Sequence, residues 1–144
     1  MLFSEATGRP VLSTGSASTV GTVDGFLVDP AAARVVALRL KNTEGDGDTV
    51  HWEDLTAFGA DAVTVPGPDA VAAARGRAAE LDTKSAGLLG KRLLTDAGAE
   101  IGSVVDVAFD PATGRVESLL TGTEPVRGDR LVGCGSYAAV VRDG

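Results

Sequence analysis

The stretch VGTVDGFLVDPAAARVVALRL at residues 20–40 returns at residues 101–121 as IGSVVDVAFDPATGRVESLLT. Gly21 aligns with Gly102, Val23 with Val104, Asp29-Pro30-Ala31 with Asp110-Pro111-Ala112, Arg34-Val35 with Arg115-Val116, and Leu38 with Leu119. A tandem duplication constrains architecture before any single residue does. Two copies at this period read as paired domains rather than as a solenoid. The expected division is a first unit over residues 1–66, a linker with a helix over 67–86, and a second unit over 87–144.

Length supports that division, because 144 residues accommodate two small units. Units of about 60 residues bury only about 60% of their unfolded surface, so the two are expected to pack on each other. Hydrophobic residues make up 44% of the chain but aromatics only 4%, so the cores should be mostly Val, Leu and Ala. The net charge of -7 and a pI near 4.6 argue against direct nucleic-acid contact and against anionic membrane surfaces. Basic residues are scattered, the densest sets being Arg75 with Arg77 and Lys84 with Lys91 and Arg92. The single cysteine, Cys134, cannot form an internal disulfide, which together with the lack of a leader points to a reducing cytoplasm. No apolar run approaches the roughly 20 residues that span a bilayer, so no membrane insertion is expected.

Along the chain, residues 1–4 form an apolar lead-in with the look of a short strand. Residues 8–13 and 20–29 read as strands, with Val23, Phe26 and Val28 as core candidates and Gly21 and Gly25 permitting a bulge. Asp29-Pro30 and its echo Asp110-Pro111 are hairpin turns: aspartate accepts local N–H groups, proline presets φ, and a glycine such as Gly114 supplies positive φ. Residues 35–40 return as a strand, with Val35, Ala37 and Arg39 on one side and Val36, Leu38 and Leu40 on the other. An acidic turn at residues 42–48, a short strand at 49–52, a tight corner at 53–58 and a strand at 61–65 complete the first copy. Pro66-Gly67-Pro68 marks a boundary, after which residues 69–81 read as a helix with Asp69 as N-cap and an alanine-rich interior. The second copy repeats the plan, but residues 52–56 have no evident counterpart in it, so it is expected to lack the Trp-Glu-Asp corner.

A glycine before a short strand, the phrase G-x-V-x-D/G-h-x-h-D-P-x-x-x-R-V-x-x-L, and then V-x-W-E-D-L-x-x-F-G-x-D-A-V-x-V resemble the PRC-barrel domain in two copies. That family takes its name from the cytoplasmic domain of the photosynthetic reaction-centre H subunit. It also supplies the C-terminal domain of a ribosome-maturation factor. The resemblance implies a mainly all-β fold, two tandem small antiparallel barrels joined by a short helix. It implies docking rather than catalysis, and it brings no catalytic residue, cofactor or metal ligand.

Candidate chemistry concentrates where the copies differ. His51 is the only histidine and stands beside Trp52, Glu53 and Asp54. On an extended segment His51 and Glu53 would share a face, the minimum for an acid–base or metal pair. No H-x-H, C-x-x-C or H-E-x-x-H spacing supplies further ligands, so turn-making is the expected role. Glu44, Asp46 and Asp48 alternate with glycine but lack the downstream glutamate of a calcium loop, which leaves a solvated tip. Cys134 has no partner base in its own copy and reads as a small hydrophobe. With Tyr137 from the shortened end, these residues (Glu44, Asp46, Asp48, His51, Trp52, Glu53, Asp54) form the candidate functional surface. The expected function is docking of another protein, or of a second copy as a homodimer, through barrel surfaces and strand edges. The runner-up is a ribosome-assembly accessory that holds a basic ribosomal protein, followed by a small metal-dependent hydrolase using His51, Glu53 and Asp54.

Overall fold

Aliphatic alternation interrupted by glycine and Asp-Pro turns folds here into short strands joined by tight connections. The computed structural model describes residues 1–82 and 87–143, so Lys84 and the end of the expected linker lie outside the described residues. Strands β1 (Pro10–Ser13), β2 (Ser18–Asp29), β3 (Arg34–Lys41), β4 (Thr49–His51), β5 (Ala57–Phe58) and β6 (Val63–Val65) form one six-stranded sheet. Its order is β4-β3-β2-β1-β6-β5, and it curls as a half-barrel. All neighbours are antiparallel except β1 and β6. The later strands are β7 (Arg92–Thr95), β8 (Glu100–Ser103), β9 (Asp106–Phe109), β10 (Val116–Leu120), β11 (Val126–Arg127), β12 (Leu131–Cys134) and β13 (Ala139–Val141). They form sheets of order β11-β10-β9 and β12-β13-β7-β8, in which β7 and β13 are again parallel. The molecule is mainly β.

Local chemistry explains the turns. Asp110 accepts the N–H of Ala112 at 2.9 Å on its side chain and that of Gly114 at 2.7 Å on its carbonyl, and Gly114 supplies φ +81. A bulge between Val23 and Gly25 bends β2 at the glycine marked for it. A second bulge, between Leu27 and Val28, breaks the simple alternation expected of β3. Val35, Leu38 and Leu40 consequently enter the main core together, whereas Ala37 packs with Leu27 and Ala78 in a smaller cluster.

Three expectations are corrected. The N-terminal lead-in is a single helical turn, α1 (Phe3–Ala6), and only Leu2 makes a strand-like bridge, to Ala108. Residues 69–81 are not one helix. A 3-10 turn at Pro68–Ala70 gives way to extended chain, and α2 spans only Gly76–Leu81. Alanine favours helix locally, but Ala72 pairs with Thr49, Arg75 is extended, and Gly76 sits at φ +60, so tertiary pairing overrides propensity. Finally, a corner exists after β11 as well: Gly128–Arg130 makes the 3-10 turn that Trp52–Asp54 makes after β4. The shortening falls within the hairpin, residues 116–128 against 35–52.

One hydrophobic cluster runs through both halves of the chain, from Phe3 and Val11 to Leu131 and Val141. Main-chain bonds also join the two Asp-Pro hairpins. The N–H of Val35 donates to the carbonyl of Gly114, and that of Val116 to the carbonyl of Ala33, each at 2.8 Å. Arg34 and Arg115 face each other in an antiparallel bridge between them.

Candidate functional site

Strand β4 places His51 at its end, and the Trp52–Asp54 turn then swings the chain toward β5. A strap over residues 71–78 runs past the outer edge of β4, extended from Val71 to Arg75 where the sequence predicts helix and helical from Gly76, where α2 begins. Ala72 exchanges both main-chain bonds with Thr49, at 3.0 and 2.9 Å. Gly47 lies against this strap so closely that a Cβ there would stand 2.8 Å from the Ala72 Cα.

His51 is only 5% exposed. Its Nε2 accepts the main-chain N–H of Arg75 at 3.1 Å, and its Nδ1 lies 3.1 Å from Nη1 of the same arginine. The Arg75 guanidinium continues to Asp54 at 3.1 Å and Glu53 at 3.5 Å. Arg77 reaches Asp29 at 3.1 Å and Glu80 at 2.9 Å. The hydrogen bond from Arg77 holds the Asp29 carboxyl below the usual carboxylate range, against the opposing effect of its partial burial. Arg34, His51, Trp52, Glu53, Arg75 and Arg77 line a groove of about 610 Å3.

The structure thus gathers His51, Trp52, Glu53 and Asp54 at one corner and adds Arg75, Arg77 and Asp29, which the sequence reading did not place there. The one local signal is the density of Arg75 and Arg77, which the sequence places on the expected helix. Asp48 lies near this corner, accepting from the Thr49 hydroxyl at 3.1 Å and pairing with Arg39 at 3.7 Å. Glu44 and Asp46 stand exposed at the hairpin tip. Among the described residues no three His, Cys, Asp or Glu side chains come together to hold a metal ion.

Tyr137 belongs to a different surface, on the second half of the chain. Its ring lies under the Arg92 guanidinium at 5.0 Å, and its hydroxyl accepts from Arg92 Nη1 at 3.1 Å. Glu100 bonds the same guanidinium at 2.6 Å and is the main cause of its raised pKa. Tyr137, Leu89, Val105 and Val132 are the large hydrophobics that stand most exposed, at 46% or more. Cys134, in the same half, is partly buried, and that burial pushes its thiol pKa up against the opposing charge of Lys91.

No helix among the described residues is long and apolar enough to cross a membrane. A comparison with protein families matches the PRC-barrel domain to residues 84–143. A search of curated proteins returns no match to the chain.

Proposed function

We propose that this chain is a non-catalytic, cytoplasmic docking module built from two tandem PRC-type units, residues 1–66 and 87–144. The repeat in the sequence supports the tandem reading, and so do paired structural details. Thr14 donates to Val65 and Asp96 to Val141, both at 2.9 Å, beside the parallel pairs β1·β6 and β7·β13. Gly8 donates to Val23 and Gly90 to Val104, both at 2.8 Å. The reciprocal bonds between Val35 and Gly114 and between Val116 and Ala33 have the form of an isologous contact, as between two copies of one unit.

The observation that carries docking is the placement of Leu89, Val105, Val132 and Tyr137, all exposed and all within the stretch matched to the family. Each offers exposed apolar area that contact with another protein would cover. Val132 also lies on β12, which among the described strands pairs with β13 alone and leaves an edge for a further strand. Val105→Asp, Val132→Asp and Tyr137→Ala should each abolish capture of a partner, or of a second copy, while leaving the melting temperature within about 2 °C. Undiminished capture across the three variants would overturn the reading. Co-sedimentation with ribosomal particles tests a basic ribosomal protein as that partner.

A further inference from the structure

We propose that the outer edge of β4, with the carboxylates beside it, is a binding site for an arginine-bearing segment of a partner protein that pairs with Thr49 as a strand, and that the strap at residues 71–78 is its removable occupant. The inference concerns the first half of the chain and is independent of the docking surface around Val132 and Tyr137.

Three observations carry it. The first is what the strap uses to hold on. It contributes one strand-like residue, Ala72, to the edge of β4, and two guanidiniums, Arg75 and Arg77, to His51, Glu53, Asp54 and Asp29. That is the chemistry of β-augmentation with charged anchors, performed here within one chain.

The second is how lightly the strap is seated. Of residues 71–78 only Ala78 is buried, Val71 and Ala74 pack part-buried against the core clusters, and the side chains of Arg75 and Arg77 are 56% and 47% exposed. Exposed ion pairs contribute little each, and segments with few buried apolar contacts open well before the rest of a fold.

The third is the surface beneath. Thr49 and Val50 are fully buried, and β4 remains paired to β3 on its other edge, so the strand does not depend on the strap for its place. When the strap lifts, the Thr49 main-chain N–H and C=O, the His51 Nε2 that accepts the Arg75 N–H, and the carboxylates of Asp29, Glu53 and Asp54 lose the partners the strap gives them. The partner that fits reproduces what the strap supplies: one extended residue to pair with Thr49 and two arginines for the carboxylates.

The test uses the full chain and a labelled peptide of the strap sequence, VAAARGRA, followed by fluorescence anisotropy. Arg75→Ala with Arg77→Ala weakens the internal occupant and should raise peptide affinity at least tenfold over the unaltered protein. Adding Gly47→Ala, which puts a methyl where the Ala72 backbone lies, should cancel that gain. The same peptide with glutamine at both arginine positions should bind at least tenfold more weakly. No gain on weakening the strap, a gain that survives Gly47→Ala, or equal binding of the glutamine peptide each overturns the proposal. If the strap variant does not fold, hydrogen exchange on the unaltered protein decides. The Ala72 amide should exchange at least a hundredfold faster than bonded amides of β2 and β3 relative to their intrinsic rates, and exchange at the same protected rate overturns the proposal.

Discussion

Ala17 turns the chain between β1 and β2 at φ 53, a conformation that costs an L-residue about 1–2 kcal/mol. Gly98 turns it between β7 and β8 at φ 86 without that cost. Ala17 is exposed, so its methyl contributes no burial that glycine would forfeit. Glycine does gain more freedom in the unfolded chain, which offsets roughly 0.5–1 kcal/mol. Ala17→Gly is therefore expected to stabilise the protein by about 0.5 kcal/mol, read as a higher urea midpoint at unchanged slope. A lower midpoint would show that the local strain is relieved elsewhere. His51 teaches the complementary lesson. Its spacing from Glu53 gave a shared face only on an extended segment, but the chain leaves the strand at Trp52, and both imidazole nitrogens meet Arg75 instead. Residue types at i and i+2 were visible in the sequence. The distant arginine that satisfies them was not.

Among elements, strands were legible and the strap was not. Strands β1, β2, β3 and β6 follow from aliphatic runs bounded by glycine, proline and aspartate, all of them local signals. The strap carries the opposite local signal, since four of its eight residues are alanine, and the pairing of Ala72 with Thr49 holds its first part extended. Its hold on the sheet should depend on pH. Asp29 has a folded-state pKa lowered chiefly by Arg77, so its contribution is complete above the unfolded carboxylate value and is lost as pH falls through the lowered one. Protonation removes the negative charge that Arg77 pairs with and so weakens this anchor of the strap. The protection factor of the Ala72 amide, measured by exchange against a peptide reference, is expected to fall across that acidic window. Asp29→Asn should start lower and show less of the decline, and an identical profile in the two proteins would mean that Asp29 does not anchor the strap.

At the scale of the whole molecule, the scarcity of aromatics pointed to cores of Val, Leu and Ala, yet the few aromatics are concentrated at one place. Phe109 is fully buried, with Phe3 and Phe58 at 5.4 Å, Phe26 at 5.6 Å and Trp52 at 6.5 Å between ring centroids. Those four rings come from the first half of the chain and Phe109 from the second, a convergence across long sequence separations that no periodicity reveals. The main-chain bonds between the two Asp-Pro hairpins and the bond from the N–H of Phe109 to the carbonyl of Met1 at 2.8 Å tie the same two halves together. A continuous core makes the chain one cooperative unit even if its sequence arose by duplication, because neither half can open without exposing rings of the other. Thermal unfolding should accordingly be a single transition whose calorimetric and van't Hoff enthalpies agree. Phe109→Ala removes the ring that the other four share and is expected to cost about 3–5 kcal/mol. Two resolved transitions in the unaltered protein, or a cost below about 1 kcal/mol for Phe109→Ala, would mean that each half is held by its own aliphatic residues and that the aromatic junction contributes little to holding the halves together.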